Sequence, residues 1–278
     1  MADEETKSRE DQSVTDDVDE AEREDAQTTK EESESAFSAE LEKKAEKILS
    51  AVDRILDSND KIRAVCKKYE RKALIYAEDN DDDEKYLYMD AGKRIITHYS
   101  DRASVSGGLT GLPSMFPGMG TIISLVGASA ADIVLMLKFE IEMSLCLCCL
   151  AGFDIDDERS RQLAYALAVV SSRDILSSRS EDVQSKAIVK SAFWDYSVRE
   201  LSKHVIKTVT TILCMNITKG MFKALPFVGI AVGASFNKVI TRRTGQCCLD
   251  ALWLRRHTSS DPENTAADDI VLDAEILD

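Results

Sequence analysis

Residues 103–131 read ASVSGGLTGLPSMFPGMGTIISLVGASAA, twenty-nine positions without a charge in a chain that is 31% charged overall. Six glycines and two prolines (Pro113 and Pro117) punctuate the run. A shorter uncharged stretch returns at Ala224–Asn237, and the two endings echo each other. Pro117-Gly118-Met119-Gly120 leads to Gly127-Ala128-Ser129, and Pro226-Phe227-Val228-Gly229 leads to Gly233-Ala234-Ser235. The repetition predicts two related elements, each a glycine-proline entry turn followed by a helix with a small-residue stripe. Gly229-x-x-x-Gly233 and Gly127-Ala128-Ser129-Ala130-Ala131 remove side chains from one face, so the two stripes are expected to pack against each other.

Outward from this stretch the periodicity is helical. Leu41, Ala45, Ile48, Val52, Ile55 and Leu56 form one apolar face behind a cap at Ser38. Ile62, Val65, Cys66, Tyr69, Ala73 and Tyr76 predict a second helix, and Leu87, Ile95, Ile96 and Tyr99 a third over about 85–101. A long helix is expected from about Thr121 to Gly152 and another over about 157–172. A polar break follows at Ser171–Glu181, then helix from Val183 to Thr218 with an interruption, and a last helix over about Gly229–His257. No stretch alternates as a strand does, so the fold class is all-α: a single helical domain with two glycine/proline-entered hydrophobic elements. The acidic run Glu78–Glu84 lacks the glycine at position six and the glutamate at position twelve that a calcium loop needs, and is expected to be a solvated linker.

Charge divides the chain. Residues 1–35 carry 15 acids against 4 bases, and residues from Thr258 onward carry 7 acids and no base, which leaves a net of +3 for residues 36–257. The acidic balance therefore belongs to the ends. Both ends lack aromatic residues and cannot offset the roughly 1–2 kcal/mol per residue that backbone ordering costs. The expected organisation is a disordered acidic tail over 1–35, a helical domain over 36–257 and a second acidic tail over 258–278. Asp268-Asp269-Ile270-Val271-Leu272-Asp273 is the one segment in the tails with the pattern of a strand added to a protein partner's sheet edge.

The first residues carry neither a basic region nor an apolar core of a secretory signal. The seven cysteines fall mostly in apolar helical stretches and read as buried small hydrophobes of a reduced, cytoplasmic protein, with lipid attachment the weaker alternative. Cys146-Leu147-Cys148-Cys149 and Cys247-Cys248 do not supply the two C-x2-C pairs that close a tetrahedral zinc site, so no metal is expected. Met119–Leu137 has the length of a span, but Asp132 sits within it and Lys138, Glu140 and Glu142 follow on several faces. A helix packed on every side explains this pattern, and partial insertion of a hairpin ranks above a full crossing.

Catalytic signatures are missing: no G-x-S-x-G, H-E-x-x-H or phosphate-binding glycine loop occurs, and the three histidines, His98, His204 and His257, have no nucleophile and acid at a telling spacing. Asp132 is the exceptional ionisable residue, alone in an apolar helix and in need of a partner or a proton. Asn237 occupies a comparable place after the second Gly-Ala-Ser, and a hydrogen bond between the two is expected ahead of catalysis. From Arg199 to His257 there are ten bases and two acids. Lys219, Lys223, Arg242 and Arg243 stand among them beside Phe222, Phe227 and Ile230, and with Phe116 they make the composition of a surface that meets anionic lipid. Intramolecular pairing of these bases with the acids of the 150s and of the tails is the competing account. No nucleic-acid module is visible, and no cofactor is expected.

Gly111-Leu112-Pro113, then Ala131-Asp132, then Lys138 to Leu150 leading into Gly152-Phe153-Asp154, resembles the signature of the EcsC family. Leu225-Pro226-Phe227-Val228-Gly229, followed by Gly233-Ala234 and Asn237, is similar to that family's second block. The resemblance covers roughly residues 85–257 and departs where Leu150-Ala151-Gly152 stands in place of a Tyr-Gly pair. It implies an all-helical domain associated by name with a bacterial ABC-transporter cluster, and brings no catalytic residue with it. Phe116-Pro117-Gly118-Met119-Gly120 and Leu135–Phe139 also resemble the helical tail of immunity-related GTPases, of which only a membrane-proximal character applies to a chain without a GTPase domain. The expected function is thus a non-enzymatic helical protein, associated peripherally with a membrane or a membrane complex. The glycine-proline residues Gly111, Pro113, Gly118, Gly120, Pro226, Gly229 and Gly233 would shape its elements. A hydrolase pocket around Asp132 and Asn237, and a soluble adaptor acting through its acidic tails, are the alternatives.

Overall fold

The computed structural model describes residues 35–77, 83–107, 120, 124, 126–177, 188, 190–218 and 229–258. Among them the chain is helical with no strand, as the periodicity requires. Helix α1 covers 35–55. It is followed by α2 (Asn59–Ala77), α3 (Glu84–Gly107), α4 (Ala128–Leu150), α5 (Glu158–Leu176), a 3-10 turn (Ala192–Asp195), α6 (Val198–Thr218) and α7 (Gly229–Thr258). Residues up to Lys44 form one unit and those from Ala45 onward a second, which holds the core.

Helix α4 is the axis of the second unit, packed against α2, α3, α5 and α7. From Ala130 to Cys148 every residue except Asp132 is buried, which is why its sequence is apolar on all faces. The helix expected from about Thr121 is divided at Gly127: residues 120, 124 and 126 are helical before it, and α4 begins after it. Gly127 caps it with φ 82°, a left-handed conformation that a residue bearing Cβ rarely adopts. It ends in a Schellman motif, in which the Gly152 N–H donates to the Cys149 carbonyl and the Phe153 N–H to the Cys148 carbonyl, with Gly152 at φ 91°. Asp157 then caps α5 by accepting from the Ser160 N–H, and Ser197 with Glu200 forms a reciprocal capping box at the start of α6.

Helices α3 and α7 run antiparallel along their whole length. Glu84 pairs with Arg256 at 3.0 Å, Tyr88 stacks on Trp253, Gly92 faces Leu249, Ile96 faces Gly245, and Asp101 pairs with Lys238 at 2.7 Å. Two glycines set the approach. A Cβ on Gly245 would sit 2.7 Å from both Ile96 Cγ1 and Met143 Sδ, and one on Gly92 would sit 2.4 Å from a Leu249 methyl. At Gly92 the added carbon meets both methyls and the Cγ of Leu249, which is fully buried. Gly245→Val is expected to cost about 2–3 kcal/mol in urea unfolding, and Gly92→Ala about 1–3 kcal/mol.

One expected boundary fails. The polar break at Ser171–Glu181 begins only after Leu176, and both Ser171 and Ser172 are fully buried inside α5. Their hydroxyls are satisfied across the core by groups on α4 and α7, so polarity there marks an internal contact rather than a loop.

Candidate functional site

The antiparallel pairing of α3 with α7 places the C-terminal turns of α3 beside the first turns of α7. Helix α4 runs parallel to α7: Glu140 lies level with Thr244 through a shared Ser172, and Met143 lies level with Gly245. The N-terminal ends of α4 and α7 and the C-terminal end of α3 therefore share one end of the bundle. Helices α3 and α4 flank the first uncharged stretch, and α7 begins within the second. Lys238, Val239, Arg242 and Arg243 are exposed along α7 from about 14 to about 21 Å beyond its start.

Several expected contact residues lie outside the described residues: Gly111, Pro113, Phe116, Gly118, Lys219, Phe222, Lys223, Pro226 and Phe227. Gly229, Ile230 and Gly233 fall in the first turns of α7, and Gly120 is exposed. Asp132 and Asn237 are both half-buried near the same end. The expected hydrogen bond between them does not form; burial acts alone on the Asp132 carboxyl and raises it to about 6. Neither residue lines the pocket on the α2–α3 surface, the one at the α1–α2 junction or the one between α4, α5 and α7.

The bundle's core holds ionisable groups whose burial periodicity did not disclose. Glu140 is fully buried; its Oε2 accepts from the Ser172 hydroxyl while Oε1 has no partner, and burial raises the carboxyl to about 8. Ser172 also meets Thr244 at 3.2 Å, and Ser171 meets Cys248 at 3.5 Å, so a polar seam joins α4, α5 and α7. Two residues on, Glu142 is equally inaccessible. Its Oε1 accepts from Lys138 Nζ at 2.5 Å and from the Asp57 N–H at 2.7 Å. Its carboxyl is raised nonetheless, because burial outweighs the neighbouring ammonium.

Elsewhere the ionisable groups are structural. His98 packs against Tyr69 and Tyr99, and His204 against Phe193 and Tyr196; burial and nearby bases lower both. Cys66, Cys146, Cys148, Cys247 and Cys248 are buried and all seven cysteines are free thiols. A hydrogen bond with the Cys146 thiol, aided by burial, pushes Cys66 up to about 12, which makes it a poor nucleophile. The bases of the 60s and 150s region pair locally, Arg63 with Asp154 and Asp156, which ties the start of α2 to the α4–α5 loop. Among the described residues no group of three His, Cys, Asp or Glu side chains is placed to hold a metal ion, and no helix is long and apolar enough to cross a membrane.

At the opposite end, the last turn of α2 exposes Leu74, Ile75 and Tyr76, and Tyr86 is exposed at the start of α3. Lys72 and Lys85 flank them. Among the described residues, exposed apolar and basic side chains meet at this corner.

No protein-family profile, characterised protein or solved structure matches the chain.

Proposed function

We propose that this protein is a non-catalytic helical module that docks peripherally on an anionic membrane, or on a complex at its surface, through the bundle end where α3 and α4, which flank the first uncharged stretch, meet the start of α7, which lies within the second. The EcsC-like pattern of those stretches belongs to the same proposal. The observation that carries it is the convergence of these ends of α3, α4 and α7 on one end of the bundle. Two apolar, glycine-proline-rich segments tethered side by side can enter the interface together, and the area each buries then adds to the other. Lys238, Arg242 and Arg243 are exposed along the same helix about 14–21 Å from that end, and each base that reaches an anionic surface contributes about 1 kcal/mol. Among the described residues, neither Asp132 nor Asn237 lines any of the three cavities named above.

Flotation of the full chain with neutral and anionic vesicles tests the reading. The chain is expected to rise with anionic vesicles at low salt, and with neutral ones far less. At about 1 M salt, where screening shortens to about 3 Å, electrostatic docking is lost and any fraction that persists reports inserted segments. A chain that stays at the bottom of the gradient under every condition would end the proposal.

A further inference from the structure

Helix α2 turns a basic face away from the core. Ile62, Cys66 and Ala73 are buried on one side, and Lys67, Lys68, Arg71, Lys72 and Ile75 are exposed on the other. Glu70 is the one acid among residues 67–75. Among the described residues none of the four bases has an ion-pair partner, and Lys68 and Lys72 lie over the Tyr69 ring at 5.3 and 5.7 Å. The face ends in apolar surface, where Leu74, Ile75 and Tyr76 are 49%, 57% and 58% exposed. From Lys67 to Ile75 the strip is about 12 Å long.

Residues 259–278 lie outside the described residues, but the place where the chain leaves α7 is fixed. Arg256, in the last turn of α7, pairs with Glu84, the first residue of α3. Arg94 lies over the Tyr76 ring at 4.7 Å, so α2 finishes about 15 Å further along α3. Helix α3 packs against both α2 and α7, and packed helices stand about 8–10 Å apart, which puts Thr258 about 25 Å from Ile75. Residues 259–267 can span up to about 30 Å. Beyond them the chain reads Asp268-Asp269-Ile270-Val271-Leu272-Asp273-Ala274-Glu275-Ile276-Leu277-Asp278.

We propose that residues 268–278 of this chain dock on the outer face of α2, with Ile270, Val271 and Leu272 against Leu74 and Ile75, and with Asp273, Glu275 and Asp278 along the four bases. The order of the two segments agrees. The apolar triplet comes first from the exit and meets the near, apolar end of the strip. Residues 273–278 cover about 17 Å when extended, enough to run the length of the bases. Residues 1–34 carry more acids but no run of large apolar residues to match the near end. Each exposed pair contributes little, but the tether holds the segment at a high local concentration. The docked segment withholds the strip from other anions. The assignment does not rest on the membrane reading, and its test contains no lipid.

Photocrosslinking of the full chain, with p-benzoylphenylalanine placed at the exposed position Ile75, tests this. Peptide mapping by mass spectrometry is expected to find the crosslink within one chain, in residues 268–278. About 1 M salt should lower the yield, because screening then shortens to about 3 Å. Arg71→Glu with Lys72→Glu should lower it at least about fivefold, and so should Asp273→Lys with Glu275→Lys. Combining the two pairs exchanges the charges and should restore most of the yield, which a merely structural change would not do. A crosslink to residues 1–34, to residues 78–83 or to a second molecule would overturn the assignment. So would no crosslink, or a yield that neither reversal changes.

Discussion

Replacing Lys138 by methionine is expected to destabilise the protein by about 3–5 kcal/mol, although the substitution keeps the length and apolar character of the stem. Lys138 is the cation that faces Glu142 in the centre of α4, and Glu142 has no exposure to water. Without the ammonium, the carboxylate keeps one backbone N–H, from Asp57, and must either remain charged in the core or take up a proton. Since burial already raises Glu142 from the ordinary carboxylate range, the variant should protonate it, and the loss should grow as pH rises. The double variant Lys138→Met with Glu142→Gln removes both charges and should recover most of the loss. Urea unfolding of the four members of this cycle at two pH values measures the coupling. A Lys138→Met variant as stable as the parent, at neutral and at alkaline pH, would show that the pair is not buried as described.

The second large effect concerns Glu140 and the dependence of stability on pH. Its folded-state carboxyl stands near 8, above the value of about 4.5 that an unfolded chain gives it. The folded state therefore holds a proton that the unfolded state releases, and stability must fall as pH rises between the two values. The contribution is fully present below about 4.5, is lost through the window up to about 8, and changes no further above it. A shift of this size in a fully buried group corresponds to a loss on the order of 3–5 kcal/mol. Asp132, half-buried and raised to about 6, adds a smaller change of the same sign at lower pH, reduced by its contact with solvent. Glu140→Gln cannot release a proton and should flatten the slope, so that it overtakes the parent at pH 8 while matching it or falling below it near pH 5. Thermal melts across pH 5–9 read this directly; a parent that gains stability over that range would contradict the burial of Glu140.

Both effects lie in side chains that sequence periodicity treats as ordinary. The apolar spacing of Leu41 to Leu56, of Ile62 to Ala73 and of Ile95 to Tyr99 discloses helices, because one buried face is enough to impose the pattern. Helix α4 is buried on all faces, so its charges carry no directional signal. Only the arrival of α5 and α7, distant in sequence, makes Glu140 inaccessible. Ser171 and Ser172 show the converse, since composition marks them as a break while their partners on α4 and α7 keep them inside a helix. The glycines that set helix approach are also not the ones a motif selects. Gly92 and Gly245 stand singly in α3 and α7 and are explained by what a Cβ would strike.

The candidate site was legible as composition and not as place. Uncharged stretches, glycine-proline turns and a basic C-terminal third can be counted along the chain. That α3 runs antiparallel to α7 while α4 runs parallel to it is a property of long-range packing.

The central claim is that one particular end of the bundle meets the membrane, and a paired charge reversal tests it. Flotation with anionic vesicles at low salt is compared for the parent, for Lys238→Glu with Arg242→Glu and Arg243→Glu, and for Lys72→Glu with Lys85→Glu at the opposite end. The first variant is expected to lose at least about tenfold in vesicle binding and the second to bind as the parent does. Loss confined to the Lys72 and Lys85 variant would move the contact to the corner of Leu74, Ile75, Tyr76 and Tyr86, and would contradict the account.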